Sequence, residues 1–100
     1  MKTSTTSLLI RTNGTMEIVN PSNTRKGWTL DELYGHLACD MVEVVYPNRI
    51  SPAIGFLKSP ILICDEEGQL TGKEINPFAS MLAGQPIVGD VILCESKSFK

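Results

Sequence analysis

The sequence predicts a single-domain α+β fold with a mixed, mostly antiparallel sheet in the order β-β-α-β-β-α-β and two short helices on one face. Three observations predict it. The chain has 100 residues, of which 42% are hydrophobic, which suits one domain with a modest core. An Asn-Gly pair separates two apolar runs, and helix caps precede two apolar segments. We expect residues 7–95 to form the domain, with flexible tails at 1–6 and 96–100.

The first element is an antiparallel hairpin over about residues 7–19. Its two apolar runs contain Leu8, Leu9 and Ile10, then Met16, Ile18 and Val19. The pair Asn13-Gly14 lies between them. Asn-Gly favours a type I′ turn, because both central residues of that turn need a positive φ.

The first helix follows a polar loop and the residue Trp28. Thr29 and Glu32 have the spacing of a capping box, in which each side chain accepts a hydrogen bond from the backbone N–H of the other residue. Apolar residues then recur at helical spacing: Leu30, Leu33, Tyr34 and Leu37. As the residue before the cap, Trp28 is predicted to pack as a hydrophobic staple.

The second helix is short. Asn76 is a favourable N-cap, and Pro77 fits the first helical position because its missing N–H would be unpaired there. The expected apolar face consists of Phe78, Met81 and Leu82. Gly84 is expected to end the helix.

The remaining strands follow from β-branched and apolar runs. Residues 41–46 and 61–64 read as strands, with a short return strand expected over 69–74. Residues 87–94 are apolar on both faces, which predicts a central strand. The segment 47–60 contains three prolines and a glycine, and we expect a long loop there.

Charge and composition disfavour several function classes. Nine Lys and Arg against eleven Asp and Glu give a net charge of −2, which disfavours binding to nucleic acid. The apolar runs are too short to cross a membrane, and no secretory signal is visible. The cysteines Cys39, Cys64 and Cys94 lack metal or redox spacing. Three reduced thiols indicate the cytoplasm.

The sequence offers no catalytic constellation, metal site or cofactor motif. His36 is the only histidine, and a residue on the solvent side of the helix is the simplest interpretation. Asp65, Glu66 and Glu67 could hold a hard cation, but acidic turns between strands are ordinary. We therefore predict no catalytic residue, no metal ligand and no cofactor.

Two segments are candidate binding sites. The loop over residues 47–60 combines basic and apolar side chains, among them Arg49, Phe56, Leu57 and Lys58, which suits a surface for a partner protein. These side chains could equally cover the core. The second candidate is the helix start at Lys73 and Asn76, where free backbone N–H groups attract anions.

The second half of the chain resembles a family of small proteins from bacteria, their phages and their plasmids, whose function is unknown. The resemblance rests on the run 62–68, on Gly72, on Asn76-Pro77 with Ala79, and on the run 87–91. The helix 30–37 and the strand after it resemble the family's opening half. The resemblance implies a phage or mobile-element origin, and with it the cytoplasm of a bacterium or of an infected host cell. It brings no catalytic residue.

Three functions remain open from the sequence. The first is a non-enzymatic binding or regulatory protein that acts on a host protein through the 47–60 loop. The second is a protein that sequesters an anionic small molecule or nucleotide. The third, which has the least support, is a small hydrolase. The exposed sheet edges are compatible with a homo-oligomer in each case.

Overall fold

The computed structural model describes residues 7–23, 26–47 and 59–99. The described residues form five strands and two α-helices in the predicted order, followed by a 3₁₀-helix that the sequence did not predict: β1 (Ser7–Ile10), β2 (Met16–Val19), α1 (Leu30–Leu37), β3 (Val42–Val45), β4 (Pro60–Asp65), α2 (Pro77–Ala83), β5 (Val91–Glu95) and the 3₁₀-helix (Ser96–Ser98). The α+β class is confirmed. Of the predicted loop 47–60, residues 48–58 lie outside the described residues.

The five strands form one sheet in the order β2-β1-β5-β4-β3. Every ladder between neighbouring strands is antiparallel, so the expectation of a mixed sheet is wrong. Strand β5 lies at the centre and is buried along its whole length, as its apolar sequence predicts. Strands β2 and β3 form the two edges.

The two helices lie on opposite faces of the sheet, which corrects the prediction of one covered face. Leu62 packs in a cluster with Leu82 of α2, whereas the next residue, Ile63, packs in a cluster with Leu33 of α1. Successive side chains of a strand point to opposite faces. The same alternation recurs in β5, where Val91 and Leu93 belong to the α2 cluster and Ile92 and Cys94 to the α1 cluster.

The first hairpin is confirmed, but its turn differs from the predicted type I′. The N–H of Gly14 donates to the carbonyl of Arg11 at 3.0 Å, so Thr12 and Asn13 are the central residues. Only Gly14 in this turn has a positive φ, of 91°. The Asn13 Oδ1 atom instead accepts the N–H of Thr15 at 3.0 Å. The extra glycine position lengthens the turn by one residue, as in a hairpin with a G1 bulge.

Helix α1 begins as predicted, because the capping box between Thr29 and Glu32 is present in both directions. Its buried side chains are Leu33 and Leu37, whereas Leu30 is 50% exposed. Trp28 is buried in the same cluster as these leucines, which agrees with the predicted staple.

Helix α2 also begins and ends where the sequence predicts. The Asn76 Oδ1 atom accepts the N–H of Ala79 at 3.2 Å, and Gly84 ends the helix with a φ of 73°. Leu82 is buried, but Met81 is 53% exposed and does not belong to the apolar face. The apolar face instead includes Ala79 and Ala83, whose small side chains let the helix approach the sheet.

Three further boundaries differ from the prediction. Residues 66–72 form turns instead of a return strand, with a single bridge between Ile75 and Val88 beyond them. Strand β5 therefore begins at Val91 and not at residue 87. At the other end, Ser98 is buried and Phe99 forms a bridge with Trp28, so the ordered chain continues past residue 95. No helix in the described part has the length and apolarity needed to cross a bilayer.

Replacing Asn76 with Ala is expected to destabilise the fold by about 2–4 kcal/mol. The change removes the α2 cap and leaves the carbonyls of Ile10 and Gly89, which accept from Asn76 Nδ2 at 3.0 and 2.9 Å, without that donor. Urea unfolding measures the loss. The matched control, Thr29→Ala, removes an exposed cap and should cost only about 1 kcal/mol. Equal losses at the two positions would contradict the structural role assigned to Asn76.

Candidate functional site

A cleft of about 310 Å³ opens at one end of the sheet. Its walls come from the ends of β3 and β4, from the turns that follow β4, and from the segment before β5. The lining residues are Glu43, Cys64, Asp65, Glu66, Gln69, Leu70, Gln85, Pro86, Ile87 and Val88. The cleft brings together residues that are more than 40 positions apart in the sequence. Its volume is near the lower limit of the volumes of ligand pockets.

Close packing of a glycine holds the turns against the segment before β5. A Cβ atom at Gly68 would lie 2.6 Å from the Cγ2 atom of Val88, so a larger residue would push the two segments apart. The N–H of Gly68 donates to the carbonyl of Asp65 at 3.2 Å. These contacts fix the turn that carries Leu70 over the cleft.

A buried ion pair anchors the same turns from behind. Lys73 Nζ donates to Asp65 Oδ2 at 2.8 Å, and the Asp65 side chain is only 5% exposed. The same ammonium group donates to the carbonyls of Leu37 at 2.7 Å and of Ala38 at 2.9 Å. Lys73 therefore caps the carboxyl end of α1 and joins it to β4, and its three N–H groups all have partners.

The mouth of the cleft combines apolar surface with unpaired negative charge. Leu70 is 85% exposed, the most exposed of the large apolar side chains in the described chain. Glu43 and Glu66 are exposed beside it, and neither carboxylate forms an ion pair with a described residue. Among the lining residues there is no Lys or Arg. The mouth can therefore bind an apolar group next to a positive charge.

Two of the predicted binding residues, Lys73 and Asn76, are engaged inside the fold. Asn76 is fully buried and its amide group uses both its donor and its acceptor atoms. Neither side chain presents a free donor to a ligand, and Lys73 does not line the cleft. The other predicted binding residues, Arg49, Phe56, Leu57 and Lys58, lie outside the described residues.

The histidine and two of the cysteines considered from the sequence lie in different environments. His36 is exposed on α1 and touches Trp28 edge to face, with 5.5 Å between ring centroids. Burial raises the pKa of the Cys64 thiol and of the Cys94 thiol to about 12 each. Within the described ranges, no three His, Cys, Asp or Glu side chains are close enough to hold a metal ion.

Sequence reasoning did not predict the cleft. The sequence indicates an acidic turn at Asp65, Glu66 and Glu67, but it predicts strands at Glu43 and at Leu70. Their proximity depends on the antiparallel pairing that places Glu43 opposite Cys64. The one local signal was Leu70, an isolated apolar residue within a polar turn sequence.

Comparisons with known proteins identify a family and no closer relative. A family model described as a domain of unknown function, DUF3846, matches residues 5–99. No curated protein and no solved structure matches the chain.

Replacing Lys73 with Met is expected to destabilise the protein by about 1–3 kcal/mol, because the buried Asp65 carboxylate loses its counter-charge. The double variant Lys73→Met with Asp65→Asn should recover part of this loss, since it leaves no unpaired charge. Urea unfolding of both single variants and the double variant measures a coupling energy of about 1 kcal/mol. Strictly additive effects would contradict the pairing.

Thiol reactivity is expected to divide the three cysteines. Cys39 is partly exposed, whereas Cys64 and Cys94 are buried, and their pKa values near 12 keep both as unreactive thiols at pH 8. Ellman's reagent should modify one thiol in the folded protein and all three after denaturation. Burial also raises the pKa of Cys39, so its reaction should be slower than that of a free thiol. Cys39→Ser should abolish the native-state reaction; its persistence would contradict this assignment.

Proposed function

Since this chain belongs to the DUF3846 family, a family of unknown function, we propose from its own surface that it is a non-enzymatic binding protein that captures a partner protein in the cleft under Leu70. The partner proposed is a host protein, in keeping with the resemblance to proteins of phages and plasmids. The sequence placed this binding in the 47–60 loop. Among the described residues, the cleft is the surface that supports the proposal.

The exposure of Leu70 is the observation that carries the proposal. A leucine side chain that is 85% exposed does not stabilise the isolated domain. Burial of this side chain against a partner would stabilise the complex by about 1.5–3 kcal/mol. The turn beneath it is fixed by Gly68 and by the Lys73–Asp65 pair. An apolar side chain on a rigid support, at the rim of a cleft, is a suitable anchor for a protein interface.

The other functions have less support. The sequestration of an anionic small molecule was predicted at Lys73 and Asn76, whose polar groups are used within the fold. The negative charge of the cleft also disfavours an anion there. Nothing in the described residues favours a hydrolase. Self-association stays a prediction, supported by Ile18, which is 67% exposed on the edge strand β2.

Substitution of Leu70 by Glu tests the proposal. The unaltered chain is first used to isolate a partner from the cells in which the chain is encoded. The partner is then purified and titrated against the unaltered chain and its variants by calorimetry. We expect Leu70→Glu to weaken binding by about tenfold or more, as for loss of an interface anchor. Its unfolding free energy should change by less than about 0.5 kcal/mol, because the side chain is exposed.

Met81→Glu is the matched control, because Met81 is 53% exposed on the outer side of α2 and does not line the cleft. It introduces the same charge and should leave the affinity for the partner unchanged. A purified partner that binds Leu70→Glu as tightly as the unaltered chain would rule out the cleft as the capture site.

A further inference from the structure

We infer that the segment captured in the cleft is basic, and that it places a Lys or Arg side chain of the partner between Glu43 and Glu66 with its aliphatic part against Leu70. This inference rests on the proposed function and specifies the chemistry of its partner. It follows from the charge of the lining, from the apolar surface beside that charge, and from the position of Lys73.

The charge of the lining is one-sided. Three of the lining residues are acidic and none is basic, although the whole chain has nearly balanced charge, with nine basic and eleven acidic residues. Asp65 is already neutralised by Lys73 at 2.8 Å. Glu43 and Glu66 remain exposed and without an ion pair to any described residue. The cleft therefore presents two carboxylates to an incoming group.

The apolar part of the lining selects among cations. Leu70 and Pro86 are exposed at the cleft, and the partly buried Val88 lies beside them. A hydrated metal ion would gain nothing from this surface, and an anion would be repelled by the carboxylates. Lys and Arg side chains carry an aliphatic stem below a charged head, and such stems lie along apolar surface while the head stays solvated or paired. A basic side chain is thus complementary to both parts of the cleft.

Lys73 offsets the negative charge of Asp65, the lining residue whose carboxylate is buried. Its ammonium group contacts Asp65 and the carbonyls at the end of α1, and it does not reach the mouth as a lining residue. The ammonium group of Lys73 is therefore committed to the fold. Since no described Lys or Arg lines the cleft, the cation at its mouth is assigned to a partner.

The test titrates the isotope-labelled full chain with two peptides by NMR: acetyl-Leu-Arg-Leu-amide and the same peptide with citrulline in place of arginine. Citrulline keeps the shape of arginine without its charge. We expect saturable shifts at the backbone amides of Glu66, Gln69, Leu70 and Val88 with the arginine peptide. The citrulline peptide should bind about fivefold or more weakly, the effect of losing two exposed charge pairs.

The variant Glu43→Gln with Glu66→Gln should bind both peptides equally and weakly. Equal affinity of the unaltered chain for the two peptides, or no saturable shift at the cleft, would overturn the inference. Titration of the purified partner against the same variant separates this failure from failure of the proposed function. If the double variant binds the partner normally and Leu70→Glu does not, the cleft captures a partner without a basic side chain. If both variants bind normally, the proposed function fails as well.

Discussion

The fold depends on the hydrogen bonds of one fully buried amide, that of Asn76. Its Nδ2 atom donates to the carbonyls of Ile10 and Gly89, which end β1 and precede β5, and its Oδ1 atom caps α2. The end of β1, the segment before β5 and the start of α2 are thereby joined through one side chain, in addition to the ladder that pairs β1 with β5. Because a buried polar group without partners is costly, this geometry admits few alternatives, and the position of α2 on the sheet follows from it.

The cleft is a consequence of two polar anchors at the ends of one irregular segment. Asn76 holds the segment's end, and the ion pair of Lys73 with Asp65 holds its beginning. Between them the chain forms turns, which are tied to neighbouring segments by the Ile75–Val88 bridge and by the Glu66 N–H, which donates to the carbonyl of Met41 at 3.0 Å. A segment fixed at both ends can hold an exposed apolar residue such as Leu70 in a defined position. A regular strand that did the same would have to be an exposed edge of the sheet.

The local signals in the sequence predict the helix ends and most of the strands, but not how these elements are arranged. The capping box at Thr29 and the Asn76-Pro77 start describe helix ends that depend on neighbouring residues only, and both are present as predicted. The prediction that both helices cover one face of the sheet conflicts with the apolar character of the last strand. A strand apolar on both faces, as in the run 91–94, requires cover on both, and the structure has a helix on each side. The cleft could not be predicted because Glu43 approaches Glu66 and Leu70 only through the pairing of β3 with β4.

The acidic residues of this region divide by burial into two roles. The Asp65 side chain is 5% exposed and takes the ammonium group of Lys73, since a buried carboxylate without a counter-charge would destabilise the fold. Glu43 and Glu66 lie in water, where an unpaired carboxylate costs little, so the domain needs no internal cation for them. Charge that contributes nothing to folding is free to select a partner, and the same holds for the exposed Leu70. In the proposed binding mode, recognition and stability therefore depend on different side chains within one cleft, so that substitutions at its mouth would change the first without the second.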